Sequence, residues 1–344
     1  MPEVTIVTPT YRHEGFIAQC IQSVLAQTFT DWEMIIVDDG SDDKTVQVAE
    51  KFLDRRITII QREHKGPYAI GESYALALTS TDSRYVAVLE GDDRWPSTKL
   101  SVQVAALNES AAVLSYGRAG LIDESGRQYA TYRCSAAKHH GNNDPVGSVL
   151  LPLVKLMFIT GVTVMLRRDE LVEAGGFIQP DGIPYVDHPT WLRLGLRGPF
   201  CFVPETLGYW RRYRRQITTS SWTERPNLDR GPYLEEILDM ARPILPAKDW
   251  SHLRSAVVRD GPRQFEEAIF SQARMALIDG EWRKASCELA RLLRSGTGRM
   301  RPLALAGLAA GVVHRDLESL IAAAGRHALP SRRHLLRHSP LERE

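Results

Sequence analysis

Short apolar runs alternate with stretches of helical periodicity over the first part of the chain. β-Branched, apolar runs predict buried strands, and apolar residues three or four positions apart predict amphipathic helices. The predicted strands are residues 4–8, 32–37, 57–61 and 84–89, and the predicted helices are residues 15–27, 45–53 and 71–79. Because strands that alternate with helices form βαβ units, the pattern predicts an α/β domain with a mostly parallel sheet flanked by helices.

The second half of the chain changes from a mixed pattern to a helical one. Further strands are predicted at residues 111–116, 158–166 and 201–203, with a short helix ending at Gly175-Gly176 and another at residues 187–196. Beyond residue 222 the pattern is helical, at residues 233–242, 262–279, 282–293 and 302–324. We therefore expect two parts, a domain at residues 1–222 and an α-helical C-terminal region at residues 223–344.

Three of the predicted strands end in polar clusters. The clusters are Thr8-Pro9-Thr10-Tyr11, Asp38-Asp39-Gly40-Ser41 and Glu90-Gly91-Asp92-Asp93. Taken one at a time, they have the composition of turns and helix N-caps. In an open α/β sheet, however, ligands bind outside the carboxyl ends of the strands. Three such clusters at one edge predict a binding site.

The third cluster carries three carboxyl groups within four residues. Crowded carboxylates repel one another, so Glu90, Asp92 and Asp93 favour a bound cation, although a helix-capping cluster would have the same composition. Oxygen ligands of this kind suit Mg²⁺ or Mn²⁺, with a substrate diphosphate completing the coordination. No GxGxxG or GxxxxGK[ST] motif is present, which argues against a dinucleotide oxidoreductase and a P-loop enzyme.

The composition excludes several classes of protein but does not indicate a function. The chain has 344 residues, a net charge of +1 and 43% hydrophobic residues, which fits a globular protein with a sizeable core. Its four cysteines form no CxxC pair, and no apolar run approaches the ~20 residues that cross a bilayer. The start Met1-Pro2-Glu3 does not resemble a signal peptide. We expect a cytoplasmic protein without a nucleic-acid partner.

The near-neutral charge conceals a basic C-terminal segment. Residues 290–344 contain ten arginines and four acidic residues. A solvated helical face explains such a charge excess, and so does attraction to an anionic surface. Because residues 302–313 are also apolar, we add the hypothesis of peripheral contact with the inner face of the cell membrane.

Ordered motifs over residues 4–222 make this sequence similar to the family 2 glycosyltransferases, which are inverting enzymes with the GT-A fold. The matching segments are Val7 to Arg12, Ser23 to Thr28, Trp32-Glu33, Val37 to Ser41, Leu89 to Trp95, Arg168 to Phe177, Asp187 with Trp191-Leu192-Arg193, and the segment that begins at Tyr209. The resemblance implies a GT-A domain, a Rossmann-like and mostly parallel sheet, followed here by a helical region.

The resemblance also implies roles for individual residues. Asp187 matches the base that deprotonates an acceptor hydroxyl, although a helix N-cap would look the same in sequence. Asp92 matches the residue that holds the divalent metal. The nucleotide-binding residues would be Thr8, Pro9, Thr10, Tyr11, Asp38, Asp39, Glu90 and Gly91, with Glu90 at the first position of the DxD motif. Contacts to the acceptor or the diphosphate would come from Asp93, Trp191, Arg211 and Arg212, with core packing as the alternative for Trp191.

Together these features predict a non-processive, inverting glycosyltransferase that uses a UDP- or dTDP-linked sugar, Mg²⁺ or Mn²⁺, and a glycan or lipid-linked glycan acceptor. One departure from the family concerns Gly71-Glu72, which stand where relatives often have Arg-Asn. Two alternatives stay open at this point. They are a sugar-phosphate nucleotidylyltransferase, which has a similar α/β core, and a catalytically inactive GT-A scaffold subunit.

Overall fold

A central mixed sheet organises the chain. The structure, a computed structural model, describes residues 1–132, 142–213, 216, 230–296, 298, 300–318 and 321. Within them the sheet has eight strands in the order β3-β2-β1-β4-β7-β5-β6, and β8 pairs with β5. The strands are β1 (Val4–Thr10), β2 (Trp32–Asp38), β3 (Ile57–Gln61), β4 (Tyr85–Val88), β5 (Leu114–Ile122), β6 (Gln128–Tyr132), β7 (Met165–Arg167) and β8 (Phe200–Arg211).

Helices connect and cover these strands. They are α1 (Ile17–Leu25), α2 (Thr45–Ala49), α3 (Ile70–Thr79), α4 (Lys99–Asn108), α5 (Leu150–Lys155), α6 (Arg168–Glu173), α7 (Asp187–Leu194), α8 (Gly231–Ala241), α9 (Ala247–Val258), α10 (Asp260–Asp279), α11 (Trp282–Ser295) and α12 (Met300–Val312). In α1 the apolar side chains at helical spacing are buried, which is the packing that the sequence pattern predicted. The predicted α/β class is confirmed.

Strands β1 to β4 form the parallel part of the sheet. β1 pairs in parallel with β2 on one side and with β4 on the other, and β2 pairs in parallel with β3. Every residue of β1 is buried, as expected for a strand covered on both faces. Beyond β4, strand β7 runs antiparallel to both β4 and β5. The prediction of a parallel sheet therefore holds for the half that carries the polar clusters.

The other half differs from the predicted elements. The strand predicted at residues 158–166 is a 3-10 turn, Gly161–Thr163, followed by the short β7. The strand predicted at residues 201–203 is the twelve-residue β8. β6 was not predicted, and it follows a turn in which the Asp123 carboxylate accepts hydrogen bonds from Ser125 N (3.0 Å) and Arg127 N (3.0 Å).

The chain divides into two compact units. The first comprises Met1–Gly120, Arg133–Arg211 and Arg230–Val258, and the second comprises Leu121–Tyr132, Arg212–Asp229 and Arg259–Glu344. The division that we predicted after residue 222 lies outside the described residues and stays a prediction. Helices α8 and α9, which lie beyond that residue, belong to the unit that contains the parallel strands.

The second unit is mainly helical among its described residues. Its helices α10, α11 and α12 pack against one another, and a buried ion pair joins Arg274 Nη2 to Glu318 Oε2 (2.6 Å). The apolar segment that begins at Pro302 lies in α12. No helix in the described part of the chain has the length and apolar character needed to span a bilayer.

Candidate active site

The carboxyl ends of β1, β2 and β4 lie next to one another. Thr10 at the end of β1 is in register with Asp38 at the end of β2. The chain after β4 continues along β1, because Leu89 N donates to Val7 O (3.1 Å) and Gly91 N donates to Pro9 O (3.1 Å). The three polar clusters therefore meet at one edge of the sheet, as the sequence predicted.

The first cluster forms a buried floor at this edge. Thr8 is buried, and its Oγ1 makes no hydrogen bond within the described residues. Thr10 Oγ1 lies 3.1 Å from His13 Nδ1. A Cβ on Gly91 would lie 2.4 Å from Thr10 Oγ1, so this position tolerates only glycine without a shift of its neighbours. The close approach of Gly91 to Thr10 brings the segment after β4 against the end of β1.

Asp38 and Asp39 have different surroundings. The Asp38 carboxylate is buried and accepts hydrogen bonds from Ser41 N (2.9 Å) and Ser41 Oγ (2.5 Å), so it stabilises the turn after β2. Asp39 faces the segment after β3 instead. Its carboxylate accepts a hydrogen bond from Gly66 N (2.9 Å) and pairs with Arg62 Nε at 3.1 Å. Of these two predicted nucleotide-binding residues, Asp38 uses its carboxylate to stabilise the turn after β2.

Tyr11 has an aromatic neighbour that the sequence did not indicate. The His64 ring stacks on the Tyr11 ring, with 4.1 Å between centroids and 17° between planes. His64 Nδ1 lies 3.0 Å from Asp39 Oδ2, which orients the imidazole. No role was predicted from sequence for Arg62 or His64, because their only signal was position in a loop after a strand.

Glu90, Asp92 and Asp93 form a compact carboxylate cluster. One oxygen from each residue lies within 4.8 Å of the others. Burial, and next the charge of Asp92, raise the pKa of Glu90 to about 7. Burial, followed by the charges of Asp92 and Glu90, raises the pKa of Asp93 well above its usual range. Because the carboxylates destabilise one another, a cation placed among them would relieve the repulsion. All the donors are hard oxygens, which fits Mg²⁺ or Mn²⁺.

Arg211 contacts this cluster from inside the protein. Its side chain is fully buried at the end of β8, its Nε donates to Asp92 O (2.6 Å), and its Nη2 donates to Gln19 Oε1 (2.9 Å). Its backbone N donates to Asp93 Oδ1 (2.7 Å). The guanidinium group of Arg211 is thus buried on protein acceptors in this structure, and a diphosphate contact of Arg211 stays a prediction.

The other predicted contacts fall into two groups. Trp191 is 1% exposed and packs in the core, which favours the core-packing alternative, and a contact of its ring with a sugar stays a prediction. Asp93 lies in the carboxylate cluster, where a ligand contact stays a prediction. Arg212 belongs to the second compact unit, where its backbone N donates to Ile122 O (2.9 Å), and its role also stays a prediction.

Asp187 begins helix α7. Its Oδ1 accepts a hydrogen bond from His188 N (2.8 Å), and His188 is itself anchored, since its ring nitrogens lie 2.8 Å from Tyr233 Oη and 3.1 Å from Leu153 O. Burial raises the pKa of Asp187 to about 6. The charge of Asp187 also contributes to the raised pKa of Glu90, so Asp187 lies within electrostatic range of the carboxylate cluster.

Tyr74 is a site residue that was not identified from sequence. Its hydroxyl donates to Glu90 Oε1 (2.9 Å) from the buried face of α3. Burial, and next the charge of Glu90, raise the pKa of Tyr74 well above its usual range, which keeps the phenol protonated as a donor. The available signal was its helical spacing, which predicts burial but does not reveal the partner.

Comparison with known proteins agrees with this geometry. The model of the Glycosyl transferase family 2 matches residues 5–171. TuaG of Bacillus subtilis, whose name describes a candidate teichuronic acid biosynthesis glycosyltransferase, is 28% identical over 64% of this chain and 83% of its own. WfgD of Escherichia coli, a UDP-Glc:alpha-D-GlcNAc-diphosphoundecaprenol beta-1,3-glucosyltransferase, is 29% identical over 56% of this chain and 69% of its own.

Solved structures share the fold at lower sequence identity. S. aureus TarS 1-349 in complex with UDP-GlcNAc has a TM-score of 0.58 at 16% identity, over 94% of this chain and 93% of that one. The mannosyltransferase PcManGT from Pyrobaculum calidifontis, in complex with GDP-Man and Mn²⁺, has a TM-score of 0.54 at 18% identity, over 94% of this chain and 86% of that one. Residues 5–171 of this chain therefore match glycosyltransferase family 2, and the sheet with its carboxylate cluster has the GT-A fold.

Proposed function

We propose that this protein transfers a single sugar from a nucleotide-sugar donor to a hydroxyl group of a glycan or lipid-linked glycan, with inversion at the anomeric carbon. The observation that carries the proposal is the compact cluster of Glu90, Asp92 and Asp93 together with Asp187, which comes from a different element and whose charge contributes to the raised pKa of Glu90. An acidic cluster beside a separate titrating carboxylate is what direct displacement of a nucleoside diphosphate requires.

Asp187 would act as the general base. Its carboxylate takes the proton of the acceptor hydroxyl while the acceptor oxygen forms a bond to the anomeric carbon. The bond from that carbon to the diphosphate oxygen breaks, and its electron pair leaves with the nucleoside diphosphate. A base works best when its pKa lies near the working pH, and the pKa of Asp187, which burial raises to about 6, satisfies this requirement.

The carboxylate cluster would bind the divalent cation, Mg²⁺ or Mn²⁺. Asp92 is the proposed ligand, with Glu90 beside it, and the ion would be shared with the donor diphosphate. When bound, such an ion neutralises the negative charge that develops on the leaving diphosphate. Asp39, Tyr11 and the floor formed by Thr8, Pro9 and Thr10 would then bind the nucleoside.

Two of the relatives suggest the class of donor and acceptor. WfgD takes its sugar from UDP-Glc and acts on a GlcNAc-diphosphate lipid, as its name states, and TarS was solved with UDP-GlcNAc. We therefore favour a UDP-linked donor, with a dTDP-linked donor as the second choice, and a lipid-linked glycan acceptor. The match of residues 5–171 to family 2 argues against the nucleotidylyltransferase alternative.

The cellular location belongs to the same proposal. We propose a cytoplasmic protein that reaches a lipid-linked acceptor through the basic segment at residues 290–344. The support for this is the excess of arginines in the sequence, since about half of the segment lies outside the described residues. Neutralising Arg291 and Arg294 should reduce co-sedimentation with anionic vesicles, and unchanged co-sedimentation would contradict the membrane contact.

The reaction can be tested through its product. The protein, Mn²⁺ and either UDP-glucose or UDP-N-acetylglucosamine are mixed with a short-chain GlcNAc-diphosphate lipid. The proposal predicts release of UDP and a new glycosidic bond whose anomeric configuration, read by proton NMR, is opposite to that of the donor. A product with retained configuration would contradict the inverting mechanism. Binding of UDP-sugars without any turnover would favour the inactive scaffold.

A further inference from the structure

The side chain of Gln179 joins two segments that come from different parts of the chain. Its Nε2 donates to Pro67 O (2.8 Å) and to Ile183 O (2.7 Å). Its Oε1 accepts a hydrogen bond from Gly71 N (2.6 Å). One amide side chain therefore connects the beginning of α3 to the segment that leads to Asp187.

The absence of a side chain at Gly71 lets Gln179 approach the backbone of α3 closely. A Cβ at position 71 would lie 2.8 Å from Gln179 Cβ and 3.6 Å from Val186 Cγ1. Any larger residue would have to displace Gln179, because the contact is with the root of that side chain rather than with a flexible end. Glycine at position 71 therefore has a structural reason in this chain, namely the space that Gln179 fills.

The segment at residues 178–186 is also hydrogen-bonded to α7. Thr190 Oγ1 accepts a hydrogen bond from Ile178 N (2.9 Å) and donates one to Val186 O (2.6 Å). Thr190 thus ties the two ends of the segment to the first turn of the helix that begins with Asp187. Gln179 ties the same segment to α3, so its position is defined from both sides.

Helix α3 itself contacts the remaining parts of the site. Tyr74, one helical turn after Gly71, donates to Glu90 Oε1 (2.9 Å), and its ring packs at 4.6 Å from the Phe177 ring. Ser73 Oγ accepts a hydrogen bond from Arg62 Nη1 (3.2 Å), and Arg62 Nε lies 3.1 Å from Asp39 Oδ1. One short helix is therefore linked to the nucleoside side, to the acidic cluster and to the segment before the base.

We infer that Gln179 is a positioning residue, which fixes Asp187 relative to the donor site by docking the segment at residues 178–186 onto α3. The inference rests on the proposed function, in which Asp187 is the base. Without the amide of Gln179 the donor contacts of Asp39 and Asp92 remain, whereas the carboxylate of Asp187 loses its fixed distance from the donor. The loss should therefore appear in kcat and not in donor affinity.

The test compares two glutamines with the same bonding pattern. Gln27 Nε2 donates to Ser23 O (2.9 Å) and Pro96 O (2.8 Å), and its Oε1 accepts from Leu100 N (3.0 Å). Gln179→Glu and Gln27→Glu each retain the acceptor and lose two donors, and because Gln27 is the more buried of the two, its variant should destabilise the fold at least as much. The measured quantities are the melting temperature, the affinity for UDP with Mn²⁺, and kcat and KM for UDP-glucose and UDP-N-acetylglucosamine with the GlcNAc-diphosphate lipid.

We expect Gln179→Glu to lower kcat roughly 10- to 100-fold, the scale of a misplaced catalytic group, with donor KM and UDP affinity within about twofold of wild type. Gln27→Glu should lower the melting temperature at least as much and leave kcat within about twofold, because Gln27 touches no part of the segment at residues 178–186. Gln179→Met, which removes the hydrogen bonds without adding a charge, serves if Gln179→Glu does not fold, and it should show the same fall in kcat.

Equal kcat values for the Gln179 and Gln27 variants at equal melting temperature would overturn the positioning role and leave the proposed function intact. A parallel loss of UDP affinity in the Gln179 variants would also overturn it, since the role would then be general support of the fold. Wild-type protein that binds UDP-sugars and never turns them over would remove the proposed function and this inference together.

Discussion

The two acidic regions of the site differ in what raises their pKa values. Glu90 has a pKa raised to about 7 by burial and then by the charge of Asp92, whereas Asp187 has a pKa raised to about 6 by burial without a crowding carboxylate among its causes. A crowded cluster gains stability when a cation enters it. A single half-buried carboxylate that titrates near neutrality is suited to accept a proton. This contrast fits the proposed roles, which are cation binding for the cluster and proton transfer for Asp187.

The supports of the two regions differ in the same way. The cluster follows β4, and the buried Arg211 holds its backbone and one of its carboxylates. Asp187 follows a segment that a neutral amide, Gln179, joins to α3. A cationic clamp helps to keep anions together, whereas a cation near Asp187 would lower its pKa, away from neutrality.

The largest expected effect on donor binding comes from Asp92→Asn, which tests the cation-binding role of the carboxylate cluster. Removing one ligand charge should abolish the dependence of UDP binding on Mn²⁺ and reduce transfer by about 10³-fold, the scale of several kcal/mol of lost charge stabilisation. Calorimetry of UDP with and without Mn²⁺ measures the first effect. Asp31→Asn, at an exposed position, is the control. Unchanged metal dependence in the Asp92 variant would contradict the assignment.

The pH dependence of kcat tests the proton-transfer role proposed for Asp187. Asp187 must be ionised to accept a proton, and its pKa is about 6, so kcat should fall by roughly tenfold for each pH unit below that value. A higher Mn²⁺ concentration should leave this acid limb in place, because the limb reports Asp187 and not the cluster. The exposed Asp181, replaced by asparagine, should not change the profile. A limb that moves with Mn²⁺ would assign it to the cluster instead.

Stability of the metal-free protein should respond to the cluster. The folded state raises the pKa of Glu90 from 4.5 to about 7, so it binds a proton that the unfolded chain has released. This contribution to stability is present below the unfolded pKa and is lost as the pH rises through about 7, by up to about 3 kcal/mol. Urea unfolding should show a smaller loss over this range in Glu90→Gln than in wild type. An identical loss in both proteins would show that Glu90 is not the source of the pH dependence.

The smallest effect is expected for Tyr74→Phe. Losing the hydroxyl removes one hydrogen bond to Glu90, worth about 1 kcal/mol, so transfer should change by less than about tenfold. Tyr85→Phe is the matched control, because Tyr85 is equally buried and its hydroxyl donates to Asn108 Oδ1 (2.8 Å). Kinetics at several Mn²⁺ concentrations would detect the change, and an effect as large in the Tyr85 variant would argue against a special role for Tyr74.

The edge of the sheet was predictable because local patterns define it. Apolar, β-branched runs ending in Thr8-Pro9-Thr10, Asp38-Asp39 and Glu90-Gly91-Asp92 specify strands and their exits without reference to the rest of the chain. Parallel pairing then brings those exits together. Asp187 was found through resemblance to a family, since a single aspartate at the beginning of a helix has no local signature that separates a base from an N-cap.

The supports were not predictable because they depend on tertiary partners. Arg211 was expected at a ligand, as a charged residue near an anion site would be, yet it lies fully buried among backbone and side-chain acceptors. β8 was predicted as three residues because Pro204-Glu205-Thr206 interrupts the apolar pattern, while its pairing with β5 carries the strand through. Gln179 gave no signal, since an amide in a loop reveals neither of the segments that it joins.

The division of labour between the two acidic regions is tested most directly by Asp187→Asn, measured for donor binding and for transfer. We expect titration with UDP and Mn²⁺ to give an affinity within about twofold of wild type, because the variant leaves the cluster and the nucleoside contacts in place. We also expect transfer of sugar to the GlcNAc-diphosphate lipid to be abolished. Retained turnover in this variant would contradict the assignment of Asp187 as the base.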